Sequence, residues 1–346
     1  MNAMDVVTLG ESMVTFLPTR PGRLADVPSF ERSIGGAESN VACMLAAAGH
    51  SVRWISRVGA DGFGDHLVER IGAYGVDVTH VDRDPHRPTG VYFRTAGERG
   101  TDAHEVAYYR AGSAASAMSP AGVDPTAARS ARILHLSGIT AALSPDCLAL
   151  LLELTAPAPD RPLISFDVNY RPGLWRSSER GAEVLRELAR RADTVFVGAD
   201  EAREAWGLRG TRAVAEALPE PGTVIVKLGK GGAIAFDRNT DGMEDADGTA
   251  TLVRPPRVDV IAATGAGDAF AAGFLHATLR GLAPAQALRH GHLWAAAALT
   301  TPADLAAPPA PGHADRLAAL DDTAWGTLRL GPGWTRAEAE EEVRTP

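Results

Sequence analysis

The sequence predicts an α/β protein built on a doubly wound, mostly parallel sheet with helices on both faces. Three observations point there. Short β-rich runs at 133–137, 163–167, 194–197 and 223–227 alternate with helical stretches near 145–154, 178–190 and 200–206. Repeated βα units of this kind give a parallel sheet covered by helices. The polar residues with chemical promise follow those strands, where such sheets bind ligands. Asn169 and Arg171 follow one, Glu201 the next, and Gly229 to Gly232 a third. Finally, 346 residues with 45% hydrophobic and 22% charged residues make an ordinary globular composition.

The elements follow in order. Val6-Val7-Thr8-Leu9-Gly10 is an apolar run closed by glycine, a buried first strand. A second strand, 14–17, is closed by Pro18, and 18–33 is weakly patterned. Gly35-Gly36-Ala37 opens a helix over 40–48 that Gly49 ends. Residues 52–58 read as a strand and 67–74 as a helix stopped by Gly75. The runs 89–95 and 106–110 alternate, carry aromatics and predict a sheet separate from the main core. After Thr264 come helices over 268–279 and 284–299, then a tail rich in Ala, Pro and charge in which 317–320 docks on the body and the last ten residues fray.

The chemistry concentrates at Thr264-Gly265-Ala266-Gly267-Asp268, which runs straight into an apolar helix. Free N–H groups at a helix N-terminus attract negative charge, and the two glycines admit a phosphate close to the backbone. Asp268 beside that anion site could take a proton from an attacking hydroxyl. A plain glycine turn with a capping acid explains the same residues without chemistry.

The formal net charge of −9 argues against a general nucleic-acid binder. Cys43 and Cys147, the two cysteines, make neither a disulfide framework nor a four-ligand zinc site. No apolar run approaches a membrane span, and Asp5 and Glu11 precede and interrupt any leader-like stretch. A soluble cytoplasmic protein is expected, with no nucleic-acid or membrane partner.

Taken together, five segments resemble the PfkB, or ribokinase-like, carbohydrate kinases, in order over roughly 5–300. They are Gly10-Glu11 after the first strand, Gly35-Gly36-Ala37-Glu38-Ser39-Asn40-Val41-Ala42, Val58-Gly59-Ala60-Asp61-Gly62-Phe63-Gly64, Lys227-Leu228-Gly229-Lys230-Gly231-Gly232, and Thr264 to Phe270. Two more, Tyr108-Tyr109-Arg110-Ala111-Gly112-Ser113-Ala114-Ala115 and Asp167-Val168-Asn169-Tyr170-Arg171-Pro172-Gly173-Leu174-Trp175, resemble the 2-keto-3-deoxygluconate kinases within that family.

The resemblance implies a kinase domain over 1–310, with lid segments near 12–33 and 89–111, and a C-terminal extension over 311–346. It implies ATP with Mg2+, and transfer of phosphate to the terminal hydroxyl of a sugar acid. Asp268 would be the base, with Gly265, Ala266 and Gly267 holding the charge that develops on the phosphoryl group. Gly35, Gly36, Asn40, Tyr92, Tyr108, Arg110, Ile139 and Arg171 would line the sugar. The two arginines suit a substrate carboxylate. Asn169, Lys227, Gly229, Gly231, Gly232 and Thr264, with Gly265 and Gly267, would hold the nucleotide, and Glu201 would reach the metal through water. The lid would exclude water on closing and offers a homodimer surface.

Gly198 and Ala262-Ala263 replace the Asn and the Asp-Thr pair common in the family, which leaves activation by a monovalent cation open. The 229–232 loop is neither a Walker A loop nor a dinucleotide fingerprint. His290-Gly291-His292 has helical i, i+2 spacing that points the rings apart, so it is no metal pair. His135 reads as a satisfied core residue, Ser137 and Ser165 have no triad partners, and 98–105 reads as a solvated loop. Fructokinase and a catalytically silent sugar-binding protein are the competing readings.

Overall fold

The computed structural model describes residues 4–95, 105–159, 161–175, 180–238, 249–303 and 305–336. Its strands are β1 (Met4–Leu9), β2 (Met13–Pro18), β3 (Phe30–Gly35), β4 (Val52–Gly59), β5 (Val81–Asp84), β6 (Val91–Arg94), β7 (Val106–Tyr109), β8 (Ala131–Ser137), β9 (Leu163–Asp167), β10 (Thr194–Gly198), β11 (Thr223–Lys227), β12 (Ala233–Asp237), β13 (Thr249–Val253), β14 (Arg257–Val258) and β15 (Arg329–Leu330). Nine of them form one sheet in the order β13-β12-β11-β10-β9-β8-β1-β4-β5. Every pairing from β11 to β5 is parallel, and β12 and β13 add antiparallel strands at one edge. The predicted doubly wound sheet is therefore borne out.

Both faces of this sheet are buried, which is why its strands read as continuous apolar runs. Val6, Ile133, Phe196 and Ile225 pack on one side with the helices Ala37–Ala47, Ala266–Leu279 and Pro284–Leu299. Val7, Leu134, Val195 and Val224 pack on the other with Pro145–Leu154 and Gly181–Arg190. Chain order reverses between β1 and β8, so the crevice at their carboxyl ends is the switch point of the fold.

The separate sheet is four-stranded, in the order β3-β2-β6-β7. β3 was not expected from the weakly patterned 18–33 stretch; it pairs antiparallel with β2 from Met13–Gly35 to Pro18–Phe30. Phe16 stacks on Phe93 with ring centroids 4.7 Å apart, giving this small sheet an aromatic face of its own.

Two helices start earlier than their apolar periodicity suggested. Ala37–Ala47 begins at the glycine pair, and Gly62–Gly72 begins where the Asp61 carboxylate accepts N–H bonds from Phe63 and Gly64 at 3.0 and 2.8 Å. β12 and β13 were missed because the glycine-rich turn before them obscured their short runs.

His135 is buried, its Nδ1 2.9 Å from Ser165 Oγ, and burial lowers its pKa to about 4. His292 is bonded to Val253 O at 2.9 Å, while His290 lies 3.4 Å from Asp315. Beyond Pro302, helices Pro311–Ala318 and Asp322–Thr327 place Ala314, Ala318 and Trp325 in the same core as helix Ala266–Leu279, and Leu317 and Leu320 pack against it. The 98–104 loop and the last ten residues lie outside the described residues. Among the described residues no helix is long and apolar enough to cross a membrane.

A Cβ on Gly36 would overlap the Glu11 carbonyl oxygen and lie 2.8 Å from Ser12 Cα. Backbone cannot yield as a side chain can. Gly36→Ala should therefore lower stability by about 1–3 kcal/mol, the usual cost of overpacking. Urea unfolding checks this, and an unchanged midpoint would refute the close approach.

Candidate functional site

The site collects at the carboxyl ends of β1, β8, β9, β10 and β11, beneath the N-terminus of helix Ala266–Leu279. Gly265 caps that helix with φ 77°, a left-handed conformation that glycine adopts without strain. No side chain caps the helix, which leaves the N–H groups of its first turn without a side-chain acceptor. This is an anion-binding geometry with the macrodipole behind it.

Asp268 stands in the first turn. Its Oδ2 accepts a 2.8 Å bond from Asn40 Nδ2, which the helix Ala37–Ala47 carries across from the other side of the crevice. Burial pushes the Asp268 carboxyl up to about 7. The Asn40 bond opposes that shift, Asp167 adds to it, and Arg171 and Lys227 oppose it. A carboxylate of this basicity is suited to accept a proton near neutral pH.

The Lys227 ammonium, at the end of β11, lies 2.9 Å from Asp167 Oδ2 at the end of β9. A Cβ on Gly267 would lie 3.6 Å from Lys227 Nζ, so the ammonium sits directly under the anion turn. Burial works against the charged lysine, but Asp167 and Glu201 outweigh it and raise its pKa. Glu201 accepts the Gly198 N–H at 2.8 Å, which orients it at the start of helix Ala199–Trp206. Burial raises its pKa, Lys227 opposing. Asn169 is the one non-glycine residue at positive φ (40°) among the described residues, and its buried Oδ1 has no partner. A side chain held in a costly conformation with an unfilled acceptor is a common mark of a binding site.

The 229–232 turn is tight. Leu228 N–H donates to Gly232 O at 2.8 Å, and Gly229 and Gly232 have φ of 56° and 106°. A Cβ on Gly232 would overlap Val253 O, so this glycine serves the packing of β13 as well.

In the small sheet, Tyr92 is buried, Tyr108 is 55% exposed, and their rings lie 5.4 Å apart. Arg110 is ion-paired with the buried Glu11 carboxylate, whose other oxygen accepts from Ser113 Oγ at 2.5 Å. Arg110 is therefore a neutralised cation, although its buried Nε–H has no partner. Arg171 is more open; its side chain is 54% exposed and 3.8 Å from Glu201. Ile139 is the second residue of the short helix Gly138–Ala141 after β8, and Gly35 and Gly36 join the small sheet to helix Ala37–Ala47.

Three acids were absent from the expected site residues. Asp167 anchors Lys227, and Glu11 anchors Arg110. Glu38 accepts from Ser137 and Thr140 hydroxyls, each at 2.7 Å, and burial raises its pKa. An acid directly after an apolar strand of a parallel sheet was the signal for Glu11 and Asp167.

The residues fit a nucleotide triphosphate: exposed helix N–H groups, an ammonium under the turn and glycines that leave space. The pattern of the pfkB family carbohydrate kinases matches residues 3–310. The chain belongs to the pfkB family. It is 33% identical over 307 residues to the 2-dehydro-3-deoxygluconokinase of Bacillus subtilis (strain 168), covering 87% of this chain and 91% of the relative. It is 33% identical over 318 residues to the enzyme of that name from Thermoproteus tenax, covering 91% and 94%. Fructokinase-2 of Solanum lycopersicum is 27% identical over 277 residues, covering 78% and 80%. Among solved structures, a PfkB protein from Polaromonas sp. JS666 superposes with a TM-score of 0.75 at 36% identity, covering 85% of this chain and 95% of that one. A structure of an E. coli protein described as a ribokinase II, in complex with ATP and Mg2+, superposes with a TM-score of 0.75 at 25% identity, covering 87% and 94%. The protein is a carbohydrate kinase, and pfkB kinases use ATP.

The Asp268 carboxyl has a folded pKa of about 7 against an ordinary 3.8. The unfolded chain thus loses this proton first, and stability falls as pH rises through that window. Asp268→Asn removes the penalty. It should melt above the parent at pH 8, with the gain vanishing at acid pH, while activity is lost. The opposite pH trend in calorimetry would contradict the buried-acid geometry.

Proposed function

We propose that this pfkB kinase phosphorylates the terminal hydroxyl of a sugar acid, 2-keto-3-deoxygluconate, to its 6-phosphate. The observation that carries the reading is Asp268 at the N-terminus of a 14-residue helix, bonded to Asn40 and raised to about 7. Asp268 takes the hydroxyl proton as that oxygen attacks the γ-phosphorus, and the bond to the leaving β-phosphate oxygen breaks. The Gly265, Ala266 and Gly267 amides hold the charge on the transferring group, with Lys227 beneath them. Asn169, Thr264 and the 229–232 turn bind the nucleotide. Mg2+ would neutralise phosphate charge, and Glu201 would hold it through water. The monovalent-cation requirement is the part of this reading that Ala262-Ala263 puts in question.

The acid substrate is supported by the two relatives at 33% identity and by Arg171, the open guanidinium of the crevice. Gly35, Gly36, Asn40, Tyr92, Tyr108 and Ile139 line the rest of the sugar, with Arg110 bracing the wall. The fructokinase relative favours a second reading, in which no carboxylate is needed. We place the kinase in the cytoplasm, with no nucleic-acid or membrane partner.

The four-stranded sheet acts in this reading as a lid. Its edge strand β7 carries Tyr108 and Tyr109, 55% and 66% exposed, and pairs two copies. Sedimentation that shows only monomer at micromolar concentrations would remove the dimer.

A coupled ADP-release assay over 2-keto-3-deoxygluconate, 2-keto-3-deoxygalactonate, fructose, ribose and adenosine tests the substrate. A keto-deoxy acid should be strongly preferred. Asp268→Asn should lower kcat by about 10²–10⁴-fold. Arg171→Met should raise KM for the acid about 10- to 100-fold, the worth of a charge-assisted bond. Fructose turnover that Arg171→Met leaves intact would overturn the acid reading.

A further inference from the structure

We infer that residues 321–335, beyond the stretch that the family pattern matches, are a strap that positions the chain leading into the phosphate turn; this rests on the kinase reading of 264–268. β13 ends at Val253 and the catalytic helix starts at Ala266. The segment between them turns to the strap for its main-chain bonds. Arg254 O accepts from Trp325 Nε1 at 2.8 Å. Arg257 N–H donates to Leu328 O at 2.9 Å, and Asp259 N–H to Leu330 O at 3.0 Å. These bonds set the parallel pairing of β14 with β15.

The strap is itself firmly seated. Trp325 and Leu330 are each 4% exposed and belong to the core under the catalytic helix. Arg289, from helix Pro284–Leu299, lies 4.9 Å over the Trp325 ring and bonds to Ala318 O and Asp322 Oδ1 at 3.0 and 2.6 Å. Satisfying a late helix carbonyl in this way fixes where the strap begins. Ala310 N–H donates to Thr335 O at 3.2 Å, which closes the strap on the body.

Downstream of these bonds the chain is thinly held. Val260 and Ile261 are 52% and 41% exposed, and the Ile261 N–H bond to Leu299 O is the next anchor. The register at 254–259 therefore sets where the Thr264 to Gly267 turn presents its amides. Trp325, Leu328 and Leu330 are positioning residues acting through β14. None of them belongs to the sugar wall.

The test uses full-length Trp325→Phe, which keeps a buried ring and removes the N–H, and Leu330→Ala. Hydrogen exchange should quicken over 255–267 while peptides of the small sheet stay as in the parent. KM for ATP should rise about five- to tenfold, with KM for the sugar acid held within about twofold. Unchanged exchange over 255–267 in both variants would overturn the strap. So would a lowered melting temperature with both KM values unchanged, the signature of a merely structural tail. If MgATP gives the parent's 262–267 amides no protection, the kinase reading of the turn falls, and the inference with it.

Discussion

The structure depends on a concentration of charge that it shields from water in part. Asp167, Glu201 and Asp268 converge below one helix N-terminus, with the half-buried Lys227 as the cation among them. Left to itself, such a group of acids would be expelled into solvent. The parallel sheet prevents this by ending β9, β10 and β11 at one level, so that each acid arrives on a separate rigid strand or helix start. The positive end of helix Ala266–Leu279 and Lys227 supply the compensation. Burial still disfavours the ionisation of Glu201 and Asp268, and at Asp268 it brings the carboxyl up to about 7, the property a base near neutral pH requires.

A second constraint links the small sheet to that centre. Glu11 lies between β1 of the main sheet and β2 of the small one, and its carboxylate is shared by Arg110 and Ser113 after β7. Gly36 packs on the Glu11 and Ser12 backbone, four residues before Asn40 on the same helix. The end of β7, the junction between sheets and the partner of Asp268 are therefore one connected piece. A shift of the small sheet would be felt at Asn40 through backbone contact, with no flexible link between.

Legibility in the sequence followed the strength of local signals. The βα repeats and the long apolar helices stood out because both sheet faces are buried, so those strands are apolar for most of their length. The turn at Gly265 stood out because left-handed backbone calls for glycine. β3, β12 and β13 did not: β3 and β13 are half-exposed edge strands without a clean period, and the glycine turn after β11 hid β12. Arg110 illustrates a different blindness. Its segment suggested a contact with a substrate carboxylate, and only the fold brings Glu11, distant in sequence, against it. Asp167 could have been found from its place after an apolar strand, but its pairing with Lys227 depends on strand order, which local pattern does not encode.

That pairing logic also narrows how an anionic sugar would be recognised. A buried guanidinium already matched to a carboxylate contributes hydrogen bonds and shape but little net charge, because a second anion beside it would repel the first. Arg110 is in that state, held by Glu11. Arg171 is bound loosely, 3.8 Å from Glu201 and half-exposed, and can turn toward a ligand at small cost. In the sugar-acid reading, selectivity for a carboxylate then rests on Arg171, while Arg110 keeps the wall in place. Swapping their roles would require Glu11 to be left buried and unpaired, a larger penalty than the substrate contact returns.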